Sequence, residues 1–553
     1  MSEHEWDATR PIGPSRPLPP PPDAPRSRSR ARGRPFPAVL GLTVLNAVLP
    51  GTAFLAAGRR VLGALVLGAF LLLVGGAAWL ATAGQRTAAQ VAVDPAALTW
   101  VFGGIVLLGL LWVAVVVAGY RVLLPPRPSR GRSVLGGVVV AALVAGIAYP
   151  VVTAGQVALA QRGLIDGLFA DRESATVEDT PHPFGDQERI NVLLLGGDGG
   201  EGREGVRTDT VIVASMDTET GDTTLFSLPR NLQDLPFPED SPLAEVYPDG
   251  FEGANESDSL LNAVYRTGPA WYPGILGPTD DPGADFLKLG VGEALGLDIH
   301  YFALVNLDGF SRLVDALGGI TVDVNSRVPV GGNPGTGSLP DDYIAPGPGQ
   351  RMDGERALAY ARGRFGLTDY DRMARQRCAI DAIIGAADPV TLLERYQELA
   401  ATTQDIVSTD IPRSALDDFV DLAFLVKDAE IRSVVFDDTV IDPAYPDYDR
   451  IRAIVDEALD PAPTTDDAAD GTSAPAPTPT RTPAPAPATT SSGSDEAPAD
   501  EAPADGAPAD EAPANGAPAD GPAVATDVTD ACAYDPVAAA AARAAGEPPT
   551  RSG

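Results

Sequence analysis

Three runs of this sequence, at about 61–83, 98–120 and 134–157, are apolar and almost free of charge over more than twenty residues each. No small aqueous core could cover so much uninterrupted apolar surface. As helices, at ~1.5 Å per residue, such runs match the ~30 Å hydrocarbon layer of a bilayer. The chain is therefore committed to a membrane before any other property is considered. A fourth run at 37–58, "PAVLGLTVLNAVLPGTAFLAAG", is interrupted near its middle by Asn46 and by Pro50-Gly51.

Charge sets the expected orientation. Arginines cluster at Arg26–Arg34, at Arg59-Arg60, and at Arg121, Arg127, Arg130 and Arg132, whereas the loop 84–97 holds one Arg and one Asp. Positively charged segments stay in the cytoplasm. That rule fits three crossings, with 37–58 re-entrant or interfacial, the N-terminus cytoplasmic and everything after about residue 160 extracytoplasmic. Four crossings would put Arg59-Arg60 on the wrong side. A cleavable signal peptide is not expected, because the apolar region starts late and continues through several helices.

Composition divides the rest. Residues 1–36 are a Pro/Arg-rich tail, 37–160 the membrane region, 161–187 a juxtamembrane linker and 188–460 a globular domain. Residues 461–553 are rich in Pro, Ala and Asp, with the near-repeat "DEAPADEAPADGAPADEAPANGAPADG", and are expected to be disordered because they hold few large apolar side chains. As a spacer, this tail could extend away from the domain. The net charge of -35 owes much to it.

Of the three histidines, His4 lies in the N-terminal tail, His182 in the linker, and only His300 in the globular region. That leaves little for a Ser-His-Asp or Cys-His mechanism, or for a histidine metal site. The two cysteines, Cys378 and Cys532, exclude a thiolate zinc cluster. They read either as one disulfide tying the tail's end to the domain or as two free thiols.

In the globular region, "INVLLLGGD" (190–198), "DTVIVASMD" (209–217), "DTTLFSLPRN" (222–231), "HYFALVN" (300–306), "ITVDV" (320–324) and "IRSVVFDD" read as strands. Helical periodicity marks 284–297, 307–319, 353–362 and 369–387, and amphipathic helices are expected in 388–459. Strands interleaved with helices predict an α/β domain of three layers, α/β/α, around a central mixed sheet.

Polar residues gather at the strand ends. Asp198 follows the first strand, Arg207 and Asp209 lead into the second, and Arg230 ends the third. Arg362 and Arg364 close one helical segment. In the next, Arg372, Arg375 and Gln376 are spaced to share a face, with Asp369 one turn earlier. Arginine forks suit phosphate. Two carboxylates, Asp198 and Asp209, suit Mg²⁺ or Mn²⁺ completed by phosphate oxygens and water. "GGDGGEG" lacks the Lys-Ser/Thr ending of a P-loop and reads as a turn.

Taken in order and spacing, "NVLLLGGD…RTDTVIVASMD…LFSLPRN…ALAYARGRFG…DYDRMARQR" resembles the LytR-CpsA-Psr family of bacterial cell-wall ligases, over roughly 188–460. The long membrane portion resembles actinobacterial members. The resemblance implies a phosphotransferase that moves a glycopolymer from a polyprenyl-pyrophosphate carrier at the membrane lipid to a muramic acid hydroxyl of peptidoglycan. It implies that Asp198 and Asp209 hold the metal. Arg207, Arg230, Arg362, Arg364, Arg372 and Arg375 would hold the pyrophosphate, with Asp369 and Gln376 orienting the arginines or the acceptor. Where the family usually reads Ser-Ile-Pro-Arg-Asp, "SLPRN" places Asn231, which removes an acid but leaves a hydrogen-bond acceptor. The polymer stays open between teichoic acid, arabinogalactan and another wall polysaccharide.

Two other readings use the same residues. One is a polyprenyl pyrophosphate hydrolase with water as acceptor. The other is a non-catalytic membrane-anchored envelope regulator, for which no helix-turn-helix is evident and no nucleic-acid partner is expected.

Overall fold

Residues 34–125, 129–169, 172–177, 183–185, 187–198, 207–387, 407–460, 525–546 and 548–551 are described by a computed structural model. The N-terminal segment through residue 33, Arg127, His182, most of "GGDGGEG" and the tail residues 461–524 lie outside the described residues. The chain divides into two units, one of residues 1–75 and 107–150, the other of residues 76–106 and 151–553.

In the first unit, helix Phe36–Val48 ends at Leu49 and the chain reverses into the short helix Thr52–Ala56. The buried amide of Asn46 makes the reversal. Its Oδ1 accepts the N–H groups of Gly51 at 3.0 Å and Ala53 at 3.1 Å, and its Nδ2 donates to the Val115 carbonyl at 3.1 Å. One side chain thus satisfies backbone groups that an apolar environment would leave stranded. Gly51, at φ 102°, admits no side chain, since a Cβ there would lie 2.5 Å from the Gly63 carbonyl oxygen. At thirteen residues, Phe36–Val48 is shorter than a crossing requires. Among the described residues, three helices are long and apolar enough to cross: Arg60–Thr82, Pro95–Leu123 and Arg130–Gly163.

The second unit is built on β1 (Arg189–Gly197), β2 (Thr208–Asp217), β3 (Thr223–Leu228), β4 (Tyr301–Asn306), β5 (Ile320–Val324), β6 (Val328–Val330), β7 (Asp342–Ile344), β8 (Gly347–Met352), β9 (Val407–Thr409), β10 (Ile431–Val435) and β11 (Thr526–Asp527). Seven of these make one mixed sheet in the order β11-β10-β3-β2-β1-β4-β9. The pairs β1/β4 and β3/β10 are parallel and the others antiparallel. β5 does not extend this sheet, because β9 occupies the outer edge of β4; β5 instead pairs with β8, and β6 with β7.

The strands are apolar on both faces because both faces are covered. Leu193 and Leu195 of β1, Val211 and Val213 of β2, and Phe226 and Leu228 of β3 join one core with helices Leu261–Trp271, Pro282–Leu295 and Tyr448–Leu459. Their alternates Val192, Ile212, Ala214 and Leu225 meet the helices Leu416–Val426 and Asp369–Ala386 through Leu422, Val426 and Ile380. Each fully buried side chain of this kind contributes about 1.5–3 kcal/mol. The α/β three-layer expectation is met.

One charged pair is buried in the sheet's flank. Lys288 Nζ donates to Asp410 Oδ2 at 2.6 Å and to the His300 carbonyl at 2.8 Å, while Asp410 Oδ1 accepts the Phe302 N–H at 2.7 Å.

Two further features locate the domain. Helix Gln85–Val93, between the first two candidate spans, packs on helix Leu416–Val426, where Arg86 and Gln90 both reach Asp421. Leu98, Ile165 and Leu416 form an apolar cluster beside them. The tail, expected to be without structure through 553, returns to the domain at its far end. β11 pairs with β10, helices Val528–Cys532 and Pro536–Ala544 follow, and Cys532 forms a disulfide with Cys378. Composition concealed this because the anchoring residues are few: one cysteine, a two-residue strand and the buried Val528 and Ala539.

Candidate active site

The glycine pair ending β1 and the acid beginning β2 are explained by one irregularity. Gly196 pairs with Thr210 and Gly197 with Thr208, so Asp209 is the extra residue of a bulge. A bulge re-aims its side chain and frees its backbone from the ladder. A Cβ on Gly196 would come within 2.8 Å of Thr210. Asp209 uses both freedoms. Its carbonyl accepts Arg372 Nη2 at 2.9 Å, and its Oδ1 accepts Arg230 Nη1 at 3.0 Å, with Asn262 Nδ2 at 3.5 Å.

The helix Asp369–Ala386 supplies the opposite side. Thr368 and Asp371 form a reciprocal capping box that fixes its first turn. Asp369, Arg372 and Gln376 then share the face toward β2. Three arginines from three segments meet on Asp369: Arg372 Nη2 lies 2.9 Å from Oδ2, while Arg230 Nε at 3.4 Å and Arg364 Nη1 at 3.5 Å approach Oδ1. Gln376 Nε2 donates to Thr210 Oγ1 at 2.8 Å. Burial pulls the Arg372 guanidinium down to about 10, against the pull of Asp369 and Asp209, so it stays charged at neutral pH. Burial alone would raise the Asp209 carboxyl, but Arg230 and Arg372 outweigh it and hold it below the usual carboxylate range. Arg372 Nε, Asp369 Oδ1 and Asn262 Oδ1 are buried polar atoms without a hydrogen-bond partner of their own. The cluster thus has bonding capacity left to offer.

Asp209, Arg364, Arg372 and Gln376 line a cavity of about 980 Å³, whereas Arg230 and Asp369 stand behind that lining. Asp198, Asp341, Asp342, Asp353, Glu355 and Arg362 are further polar lining residues, and Leu194, Ile212, Phe310, Leu358, Ile380 and Ile383 are among the apolar ones.

Two expected members are elsewhere. Arg375 is not with the others: its Nε donates to the Tyr360 carbonyl at 2.8 Å and its Nη2 to the Gly363 carbonyl, closing the end of helix Gly354–Arg362. Arg207 gives its backbone N–H to Asp198 Oδ1 at 2.9 Å, but its guanidinium turns to Asp258 Oδ1 at 3.3 Å, which also takes Arg266 Nη2 at 3.0 Å. Asn231 is exposed and does not line the cavity. Asn262, Asp258, Arg266 and the cavity-lining Arg356 escaped the sequence reading. Asn262 sits fifty-three positions from Asp209 and carries no charge, so no spacing or composition signal marks it.

A divalent cation would find two carboxylates here, Asp198 and Asp209, on neighbouring strand ends. Among the described residues no group of three or more His, Cys, Asp or Glu side chains is placed to hold a metal ion. That donor set suits Mg²⁺, which commonly binds through one or two carboxylates with substrate phosphates and water, better than a metal needing a closed protein cage.

Residues 168–444 match the LytR_cpsA_psr family. The "Polyisoprenyl-teichoic acid--peptidoglycan teichoic acid transferase TagU" of Enterococcus faecalis is 30% identical over 232 residues, covering 41% of this chain and 62% of that protein. The "Probable cell wall biosynthesis protein LcpB" of Corynebacterium glutamicum is 32% identical over 212 residues, covering 38% and 41%. The chain therefore spans less than two thirds of the length of these two relatives. The crystal structure of B. subtilis TagV aligns with a TM-score of 0.34 at 23% identity, covering 49% of this chain and 97% of that one.

Proposed function

The chain belongs to the LytR-CpsA-Psr family, and from that membership we propose that it is a membrane-anchored phosphotransferase. It moves a glycopolymer from a polyprenyl-pyrophosphate carrier to peptidoglycan and releases polyprenyl phosphate. The observation that carries this reading is the meeting of Arg230, Arg364 and Arg372 on one carboxylate, Asp369, beside a cavity that has both polar lining and an apolar wall of Leu194, Ile212, Phe310, Leu358, Ile380 and Ile383. A diphosphate offers these forks more charge and more acceptors than Asp369 does, and the apolar wall suits an isoprenoid chain.

Asp198 and Asp209 would hold Mg²⁺, which would supply charge neutralisation for the diphosphate. Arg230, Arg364 and Arg372, with Arg362 at the cavity wall, hold the diphosphate and offset the charge growing on the leaving polyprenyl phosphate. The muramic acid hydroxyl attacks in line: its oxygen bonds to the sugar-side phosphorus as the bond to the bridging oxygen breaks. Asp209, kept ionised by its arginines, would be a metal ligand, and Asp369, beside the same arginines, takes the hydroxyl proton. Gln376 holds the bulge of β2 through Thr210, Arg375 fixes the helix end before Arg364, and Arg207 steadies Asp198 through its backbone.

The contact of helix Gln85–Val93 with the domain supports placing both on one side of the bilayer. With the arginine-rich segments inside, that side is extracytoplasmic, and three crossings satisfy both conditions.

The test uses the full chain in nanodiscs with a lipid-linked pyrophosphate glycan, Mg²⁺ and peptidoglycan. Transfer of label to peptidoglycan, dependent on acceptor, is expected. Phosphate release at the same rate without acceptor would make the protein a hydrolase, and no turnover of the donor would remove the enzymatic reading.

A further inference from the structure

The last described stretch, residues 525–551, takes no part in the chemistry above, yet it holds both walls of the cavity. On the inner side, Cys532 is bonded to Cys378. That cysteine lies two residues beyond Gln376, on the helix whose Arg372, Gln376, Ala379 and Ile380 line the cavity. β11 adds to the edge of β10 next to it. On the outer side, Asn325 Nδ2 donates to the Ala533 carbonyl at 3.0 Å and its Oδ1 accepts the Asp535 N–H at 2.8 Å. Arg543 Nη2 donates to the Pro346 carbonyl at 2.9 Å. The Arg551 N–H donates to the Pro340 carbonyl at 2.8 Å, and its guanidinium meets Ser338 Oγ at 2.8 Å and Asp341 Oδ1 at 3.2 Å.

These outer contacts fall on the segment 325–346, which contributes Pro329, Val330, Asn333, Asp341 and Asp342 to the cavity lining. That segment has no strand in the main sheet. Its hydrogen-bonded order is the three-residue pair β6/β7 and one isolated bridge, Asn333 to Ser338, and its ends are anchored by Val328 and Ile344, buried in one core with Tyr360 and Ala379. Between those anchors, residues 331–343 have little sheet of their own and are positioned by what is tied across them.

We propose that residues 525–551 are a strap that sets the distance between the two walls, with Arg543 and Arg551 as positioning residues for the outer wall and the disulfide as the inner anchor. The strap thereby decides what the cavity admits, a clause that rests on reading the cavity as the site of the lipid-linked donor. Each exposed polar contact is individually weak: a pair such as Arg551–Asp341, with both side chains 58% exposed, shifts a local equilibrium by up to about fivefold. The covalent anchor makes the weak contacts effective by keeping them at high local concentration.

Hydrogen exchange on the full chain in nanodiscs tests the strap without any turnover. The protein has two cysteines, so a reductant acts on this bond alone. Reduction should speed exchange at least threefold across 328–346 and leave β1, β2 and β3 unchanged. The variant Arg543→Ala/Arg551→Ala, which keeps the disulfide, should reproduce up to about fivefold of the effect in the same segment. Unchanged protection of 328–346 in both experiments would overturn the strap. So would an equal loss of protection throughout the sheet, since the disulfide would then serve only the fold's stability.

Binding of geranylgeranyl pyrophosphate by calorimetry tests the second clause. A weaker, less chain-length-selective interaction is expected once the strap is loosened, and an unaltered one would overturn the selecting role. If the wild-type protein fails to bind this probe, the donor-site reading fails, while the exchange result still decides whether the strap exists.

Discussion

Replacing Lys288 with methionine would measure how strongly the domain depends on one buried ion pair. The lysine is 2% exposed and Asp410 7%. At the 2.6 Å separation of Nζ and Oδ2, and an effective dielectric of 20, their gross attraction is about 6 kcal/mol. In the wild type, the cost of dehydrating both ions cancels much of that. Lys288→Met deletes the attraction but leaves the Asp410 carboxylate dehydrated, with the Phe302 N–H as its remaining donor among the contacts described. The expected loss is about 3–5 kcal/mol. In a domain of this size that lowers Tm by roughly 6–20 °C, at about 2–4 °C per kcal/mol. Burial already pushes the Asp410 carboxyl up, against the pull of Lys288, and without the lysine it rises further. A folded-state value above the unfolded one means the penalty is small in acid and grows as pH rises through the folded value. Scanning calorimetry of the full chain in nanodiscs should therefore show a smaller deficit, relative to wild type, at pH 5 than at pH 8. The double variant Lys288→Met/Asp410→Leu should recover most of the loss. A single variant within about 1 kcal/mol of wild type, or a double variant no better than the single, would refute the reasoning.

Other substitutions probe the site and its support. Arg372→Lys keeps a charge but loses the unpartnered Nε donor left for phosphate once Nη2 is engaged with Asp369 and the Asp209 carbonyl, so transfer should fall about 100-fold while Tm moves little. Asp209→Asn removes one of two candidate metal ligands, and Mn²⁺ binding followed by electron paramagnetic resonance should weaken at least about tenfold. His300 Nδ1 accepts the Asn191 N–H at 3.0 Å, and burial pushes this imidazole below its ordinary value. The unfolded chain takes up the proton first as pH falls below about 6.5, so stability should decline there by up to about 1.4 kcal/mol per pH unit. His300→Leu should flatten that slope in pH-dependent melting.

The sheet was legible because β1, β2, β3 and β4 carry apolar runs, two of them closed by Gly197 and Asp217, and covering both faces demands that pattern. β6, β7 and β8 were not, since "VPV" and "DYI" are three residues each, "GPGQRM" holds Pro and Gly, and all three pair outside the main sheet. Within the site, spacing along one helix was a good but coarse guide. Gln376, four residues from Arg372, stands about 40° around the helix and reaches Thr210. Arg375, three residues away, stands about 60° to the other side and finds the carbonyls of Tyr360 and Gly363 first. The guanidinium of Arg207 takes a partner, Asp258, fifty-one positions ahead, where no local pattern could point.

The disulfide of Cys378 with Cys532 and the pairing of β11 with β10 have a topological result. Both flanks of residues 461–524 are held by the domain, Leu459 in a helix and Thr526 in β11, so a protease cutting once between them would release no fragment. The two pieces would part only on a reducing gel, so a single nick would leave the protein covalently whole.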